Sequence, residues 1–168
     1  MMSKIILVIL TLFLSANAFA DMNMKIGKKG NLNEIDRTIK VIMYDNYYEP
    51  SNFSVKAGET IKFEVINAGE LVHEFNIANK MLHMKHQPEM EKMVENEILF
   101  ADSIDHEKMK KMSKMDKSMG HSHSNSVLLE PNQKSDLIWN FESAANIEIA
   151  CNVPGHYQAG MIASVDIN

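Results

Sequence analysis

Two hydrophobic rhythms divide the chain. Residues 38–44 read Thr-Ile-Lys-Val-Ile-Met-Tyr, and residues 60–66 alternate as Thr-Ile-Lys-Phe-Glu-Val-Ile. Period-two runs of β-branched and aromatic residues predict half-buried strands. The rhythm returns at residues 53–55, 72–77, 127–129, 135–141, 146–151 and 161–167. Leu137, Trp139 and Phe141 share one face of their run, as do Ile147, Ile149 and Cys151, and again Met161, Ala163, Val165 and Ile167. Turn signals separate the runs: residues 46–50, Ala57-Gly58-Glu59, Asn67-Ala68-Gly69 and Glu130-Pro131-Asn132. Short alternating strands at this spacing predict an all-β fold, an antiparallel β-sandwich.

The second rhythm occupies residues 80–126, which are rich in Met, His, Lys and Glu. This stretch is predicted to be a partly helical insertion with flexible ends, and Ser103 is a candidate N-cap for a helix running to about Met119. On such a helix Met109, Met112, Met115 and Met119 fall within an arc of roughly 120°. Two readings stand side by side. Met fills irregular gaps, so the stripe can be a packing face. Thioether and imidazole also suit copper, which makes Met81, His83, Met84, His86, Met109, Met112, Met115, Met119, His121 and His123 candidate ligands for additional labile copper.

The N-terminus changes the compartment. Lys4 precedes an apolar stretch over residues 5–14, and Ala18-Phe19-Ala20 offers small residues for cleavage. This is the pattern of a signal peptide cleaved after Ala20, and the stretch is too short to span a bilayer. An uncleaved anchor is the competing reading. Asp21 follows the cleavage site, so no Cys is there for lipid attachment. The expected organisation is a signal peptide at 1–20, a flexible polar lead at 21–34, and one domain over 35–168 interrupted by 80–126. The expected location is the periplasm, with no membrane association after cleavage. Against 22 Asp and Glu stand only 17 Lys and Arg, a net charge of −5, which argues against a nucleic-acid partner.

Candidate chemistry gathers around the single cysteine. Cysteines of exported proteins usually pair, and Cys151 has no second cysteine to pair with. It is an inert core thiol, a reactive thiol or a metal ligand. Its neighbourhood reads Cys151-Asn-Val-Pro-Gly-His156-Tyr-Gln-Ala-Gly-Met161, with a further His73 far upstream. Two His, one Cys and a weak axial Met form the ligand set of a type 1 blue-copper site. Pro154 and Gly155 stiffen and turn the loop between the strand ends.

These stretches resemble the cupredoxins, most closely the single-domain periplasmic ones associated with copper tolerance. The resemblance rests on residues 38–44, Val55-Lys56-Ala57-Gly58-Glu59-Thr60, Asn67-Ala68-Gly69-Glu70-Leu71-Val72-His73-Glu74-Phe75, Leu137-Ile138-Trp139-Asn140-Phe141 and the loop from Cys151 to Met161. The four-residue gaps on both sides of His156 resemble the rusticyanin loop. The resemblance implies a Greek-key β-sandwich, Cu(I)/Cu(II) one-electron transfer, ligands at His73, Cys151, His156 and Met161, and an electron port at the exposed edge of His156. It also implies a redox partner such as a cytochrome or a copper-handling protein. One departure is Glu74, which stands where many electron carriers have an Asn that ties the two ligand loops together.

The expected function is copper handling and one-electron transfer by a monomer. The alternative is a dedicated chaperone or sequestration protein that uses the insertion and has no electron-transfer partner. Enzymatic activity is not expected: the chain has no His-Cys-His motif, and its one His-x-His is His121-Ser122-His123 in the insertion.

Overall fold

Pairing turns the alternating runs into two five-stranded sheets. The computed structural model describes residues 26–142 and 146–168; the expected leader lies outside them. The strands are β1 (Lys28–Lys29), β2 (Arg37–Tyr44), β3 (Tyr47–Glu49), β4 (Asn52–Val55), β5 (Thr60–Asn67), β6 (His73–Ala78), β7 (Ser126–Leu129), β8 (Lys134–Asn140), β9 (Glu148–Ala150) and β10 (Ile162–Ile167). One sheet has the order β1-β8-β5-β2-β3 and the other β4-β10-β9-β6-β7. β2 runs parallel to β5 and β10 parallel to β4, while the remaining pairs are antiparallel.

The alternation explains how the sheets stack. Val41 and Met43 on β2, Ile61, Phe63 and Val65 on β5, and Leu137 and Trp139 on β8 are all buried. Facing them from the second sheet are Phe53, Val55, Phe75, Ile77, Ile149 and Ala163. The Phe63 and Phe75 ring centroids stand 5.2 Å apart across the sandwich. Strand β6 departs from the half-buried rule, since all six of its residues are buried. Period two puts Phe75 and Ile77 on the core side and Glu74 and Asn76 on the other. That outer side is covered by the insertion, where His86 and Asn125 bond to Glu74 and Asn76.

The insertion is helical, but its helices differ from the expected one. The long helix is α1 (Lys80–Glu95), capped by Asn79, whose side chain accepts a hydrogen bond from the Leu82 N–H. A shorter α2 spans His106–Met112. Its N-cap is Asp105 rather than Ser103, because the Asp105 carboxylate takes the Lys108 N–H at 2.8 Å. The helix ends at Met112, and a separate 3₁₀ turn at Lys117–Gly120 follows, so no single helix carries Met109 to Met119. Asp116 caps that turn by accepting the Ser118 N–H.

Two short strands escaped the pattern. Residues 46–50 were expected as a turn, yet only Asp45 and Asn46 lie between paired Tyr44 and Tyr47, and Asn46 takes a left-handed φ of 75°. The hairpin is therefore two residues long, and β3 begins immediately after it. The described part of the polar lead, residues 26–34, carries β1 against β8, and the Trp139 indole donates to the Ile26 carbonyl at 2.8 Å. This part of the lead is tied to the sheet. Among the described residues no helix is long and apolar enough to cross a membrane.

Candidate metal centre

The loop between β9 and β10 is wound against itself. The Cys151 N–H donates to the Met161 carbonyl at 3.2 Å, and the Met161 N–H donates to the His156 carbonyl at 3.0 Å. Further turns bond His156 to Val153, Ala159 to Gly155 and Gly160 to Tyr157. Gly155 and Gly160 hold φ of 91° and 92°, a left-handed conformation that side chains resist. Cys151 and Met161 are fully buried at the loop's ends, while His156 is half-buried among exposed neighbours.

His73 enters from the first residue of β6. Its Nδ1 lies 3.9 Å from the Cys151 sulfur, and the His156 Nδ1 lies 3.3 Å from the same sulfur. The three donor atoms all lie within 4.8 Å of one another. The fourth candidate, Met161, is joined to them through the backbone bonds just described.

What surrounds these donors determines their charge. Burial, reinforced by the Glu74 carboxylate, pushes the Cys151 thiol up to about 12, although the N–H groups of Glu74 and Val153 oppose it. A thiolate here needs a cation beside it. Burial also lowers the pKa of His73, against the pull of Asp45, and that of His156, with His73 adding to the effect. Both imidazoles are thus biased toward the neutral form that binds metals.

Asp45 settles how His73 presents itself. Its carboxylate lies 2.8 Å from His73 Nε2 and also accepts the N–H groups of Glu70 and Leu71. Burial alone would raise the Asp45 pKa, but the His73 bond and those two backbone donors outweigh it and hold the group ionised. An ionised Asp45 assigns the proton to Nε2 and leaves Nδ1 directed at the sulfur. Sequence reading missed this residue: it sits in a hairpin turn 28 positions before His73, and nothing local marks it.

Glu74 replaces the expected Asn and still ties the two ligand segments together. Its N–H donates to the Cys151 sulfur at 3.3 Å. Its Oε2 accepts both the backbone N–H and the side-chain amide of Asn152, at 3.1 and 2.7 Å. The polarity is reversed, with a carboxylate accepting where an amide was expected.

The insertion's candidates separate. His86 and His121 meet Glu74, and His86 and His123 meet Glu89. His83 is buried elsewhere, with Nδ1 3.1 Å from the Asn152 amide. Met119 is buried, Met109 and Met112 pack on the core edge, and Met115 is 75% exposed. Met81 and Met84 are also exposed. The methionine stripe is dispersed, while His86, His121 and His123 converge.

A two-sheet sandwich with an upstream His and a Cys-x₄-His-x₄-Met loop at one tip defines a class of protein. The chain belongs to the cupredoxin-like domain family, matched over residues 4–103. It is similar to the copper-resistant cuproprotein CopI of Pseudomonas aeruginosa strain PAO1, 38% identical over 159 residues, covering 91% of this chain and 88% of that protein. Against the copper-resistant cuproprotein CopI of Rubrivivax gelatinosus the identity is 27%, over 86% of this chain and 74% of the other. In structure it resembles auracyanin B, with a TM-score of 0.59 at 13% identity over 84% of this chain and 96% of that one. The reduced auracyanin of Roseiflexus castenholzii gives a TM-score of 0.57 at 16% identity over 80% of this chain and 98% of that one. At those identities the two auracyanins speak for the fold alone.

Proposed function

We propose that this chain is an exported copper-tolerance cupredoxin that binds one copper ion in a type 1 site and passes single electrons. His73, Cys151, His156 and Met161 hold the ion. The observation that carries this reading is a fully buried thiol, pushed up to about 12, with two imidazole nitrogens 3.3 and 3.9 Å away. Soft sulfur and borderline imidazole donors form the set that copper accepts in both oxidation states. The CopI relatives, described as copper-resistant, support the physiological side.

Bound copper supplies the one-electron chemistry, and the chain's residues prepare the site for it. Asp45 fixes the His73 ring, the Glu74 N–H stabilises charge on the sulfur, and the self-bonded loop keeps His156 and Met161 from moving between oxidation states. His156, half-buried in an exposed loop, offers a route for an electron to a docked partner such as a cytochrome or another copper-handling protein. Holding copper without passing electrons is the second reading, favoured by the extra histidines beside Glu74.

Protein purified from the exported fraction and loaded with copper should show an intense visible charge-transfer band. Cys151→Ala should abolish it. A colourless wild type with no bound copper would overturn the proposal. Rapid electron exchange with a reduced cytochrome separates the two readings: a shuttle exchanges quickly, and a sequestering protein does not.

A further inference from the structure

The buried carboxylate of Glu74 carries more donors than it needs. Its Oε2 is satisfied by Asn152, and its Oε1 accepts the Asn76 amide at 3.0 Å. Two imidazole nitrogens also reach Oε1: His86 Nε2 at 3.0 Å and His121 Nε2 at 2.7 Å. The other nitrogen of His86 lies 2.8 Å from a Glu89 oxygen, and His123 Nε2 lies 3.8 Å from that same oxygen. The three rings are mutual neighbours, with centroids 4.9 to 5.5 Å apart. Three imidazoles and two carboxylates from three separate segments thus converge on the outer face of β6.

Packing requirements leave this convergence unexplained. A helix covering a sheet ordinarily buries Leu or Ile, yet α1 points His86 at a carboxylate. His121 adopts a left-handed φ of 42°, a conformation uncommon for a residue other than Gly, and from there reaches Glu74. Both nitrogens of His86 face carboxylates, at 3.0 Å from Glu74 and 2.8 Å from Glu89, so the ring stands between two anionic groups.

From these contacts we propose that His86, His121 and His123, with Glu74 and Glu89, form a second metal site, which takes copper as Cu(II). Imidazole and carboxylate are the donors that suit Cu(II), whereas the type 1 site adds sulfur. Two ligands at right angles, each about 2.0 Å from an ion, stand about 2.8 Å apart. The separations of 2.7 and 3.0 Å from Glu74 Oε1 to the two imidazoles match that edge. The site is reached from a pocket of about 260 Å³ lined by His86, Glu89, His123 and Lys85. His123 sits at the exposed margin, where an incoming ion meets it first.

Choosing copper over another divalent ion rests on the copper-tolerance reading; the donor cluster stands without it. The two sites are also joined. Glu74 holds the second cluster by its carboxylate and the Cys151 sulfur by its N–H, one residue after His73. Occupation of the second site draws on the carboxylate charge that faces the type 1 sulfur.

The test counts copper on five full-length proteins: wild type, Cys151→Ala, His123→Ala, His121→Ala/His123→Ala, and the triple variant. Wild type should bind two equivalents. Cys151→Ala should keep one Cu(II), with an electron paramagnetic resonance signal of the wide-hyperfine kind and no intense visible band. His121→Ala/His123→Ala should lose one equivalent and keep the visible band, and the triple variant should bind none. His123→Ala alone, at an exposed position that leaves folding undisturbed, should weaken the second Cu(II) at least tenfold. Equal copper counts with and without His121 and His123 overturn the second site. A missing visible band alongside a histidine-dependent equivalent overturns the type 1 reading and leaves this one standing. If that equivalent is tighter for Zn(II) than for Cu(II), the assignment to copper falls.

Discussion

Asp45 decides which nitrogen of His73 faces the sulfur, and it does so from a turn. The two-residue hairpin places its carboxylate against Nε2, where it also collects two backbone N–H groups from residues 70 and 71. Gly69 belongs to the same arrangement: a Cβ there would strike the Asp45 carboxylate and stand 3.0 Å from His73 Nε2. Removing the acceptor with Asp45→Ala leaves the ring's tautomer and orientation unfixed. Loss of a partner that orients a ligand typically costs ten- to a hundredfold in metal affinity. We therefore expect copper affinity at the proposed type 1 site to fall by about that factor. Competition against a chelator of known affinity measures it, and the visible band should survive at saturating copper. The same scale explains why Glu74 can stand where an Asn was expected. Its carboxylate accepts both N–H groups of Asn152, so the segments carrying His73 and Cys151 stay joined although donor and acceptor have changed places.

At the scale of elements, α1 is unusual for what it buries. His83, His86, Met90 and Met93 are its buried residues, spaced three, four and three apart. That is helical spacing, but two of the four positions are polar, so the apolar periodicity that announces a helix is diluted. The two methionines carry the packing, at 0% exposure each. Met93→Ala should destabilise the fold by about 2–5 kcal/mol, as burial and cavity formation require. Met115→Ala, at 75% exposure, should change stability by less than about 0.5 kcal/mol. Chemical denaturation of the two variants checks both, and comparable losses would mean that Met115 packs as a buried residue does. The break between α2 and the following 3₁₀ turn has a local cause. Asp105 and Asp116 each cap a separate start, and side chains that bind nearby N–H groups compete with continuous helix.

Across the whole molecule, the sandwich is a rigid frame with donor clusters where its second sheet meets loop and insertion. Ligand that binds only the folded state stabilises it by mass action, about 2.7 kcal/mol at a hundred times the dissociation constant. Copper loading should accordingly raise the thermal midpoint, and Cys151→Ala should remove the share belonging to the proposed type 1 site. Scanning calorimetry with and without copper measures this, and equal gains in both proteins would place the stabilising ion elsewhere. The strands were legible because each buries one face, so Ile61, Phe63 and Val65 repeat at the period of the pleat. The Cys151 to Met161 spacing was legible because a single short loop carries its own donors. β1 was not, because two lysines at a sheet edge follow no hydrophobic rhythm. Neither was the convergence of Glu74, Glu89, His86, His121 and His123, since those residues come from a strand, a helix and a loop whose meeting no local pattern records. Sequence by itself determined the alternating strands, the loop with its sulfur and imidazole, and the family resemblance. Tertiary structure decided which nitrogen of His73 faces Cys151, what replaces the expected Asn, and where the insertion's histidines go. The reason is physical: periodicity encodes which face a residue turns inward, while contacts between distant segments depend on how the sheets and the insertion close over one another.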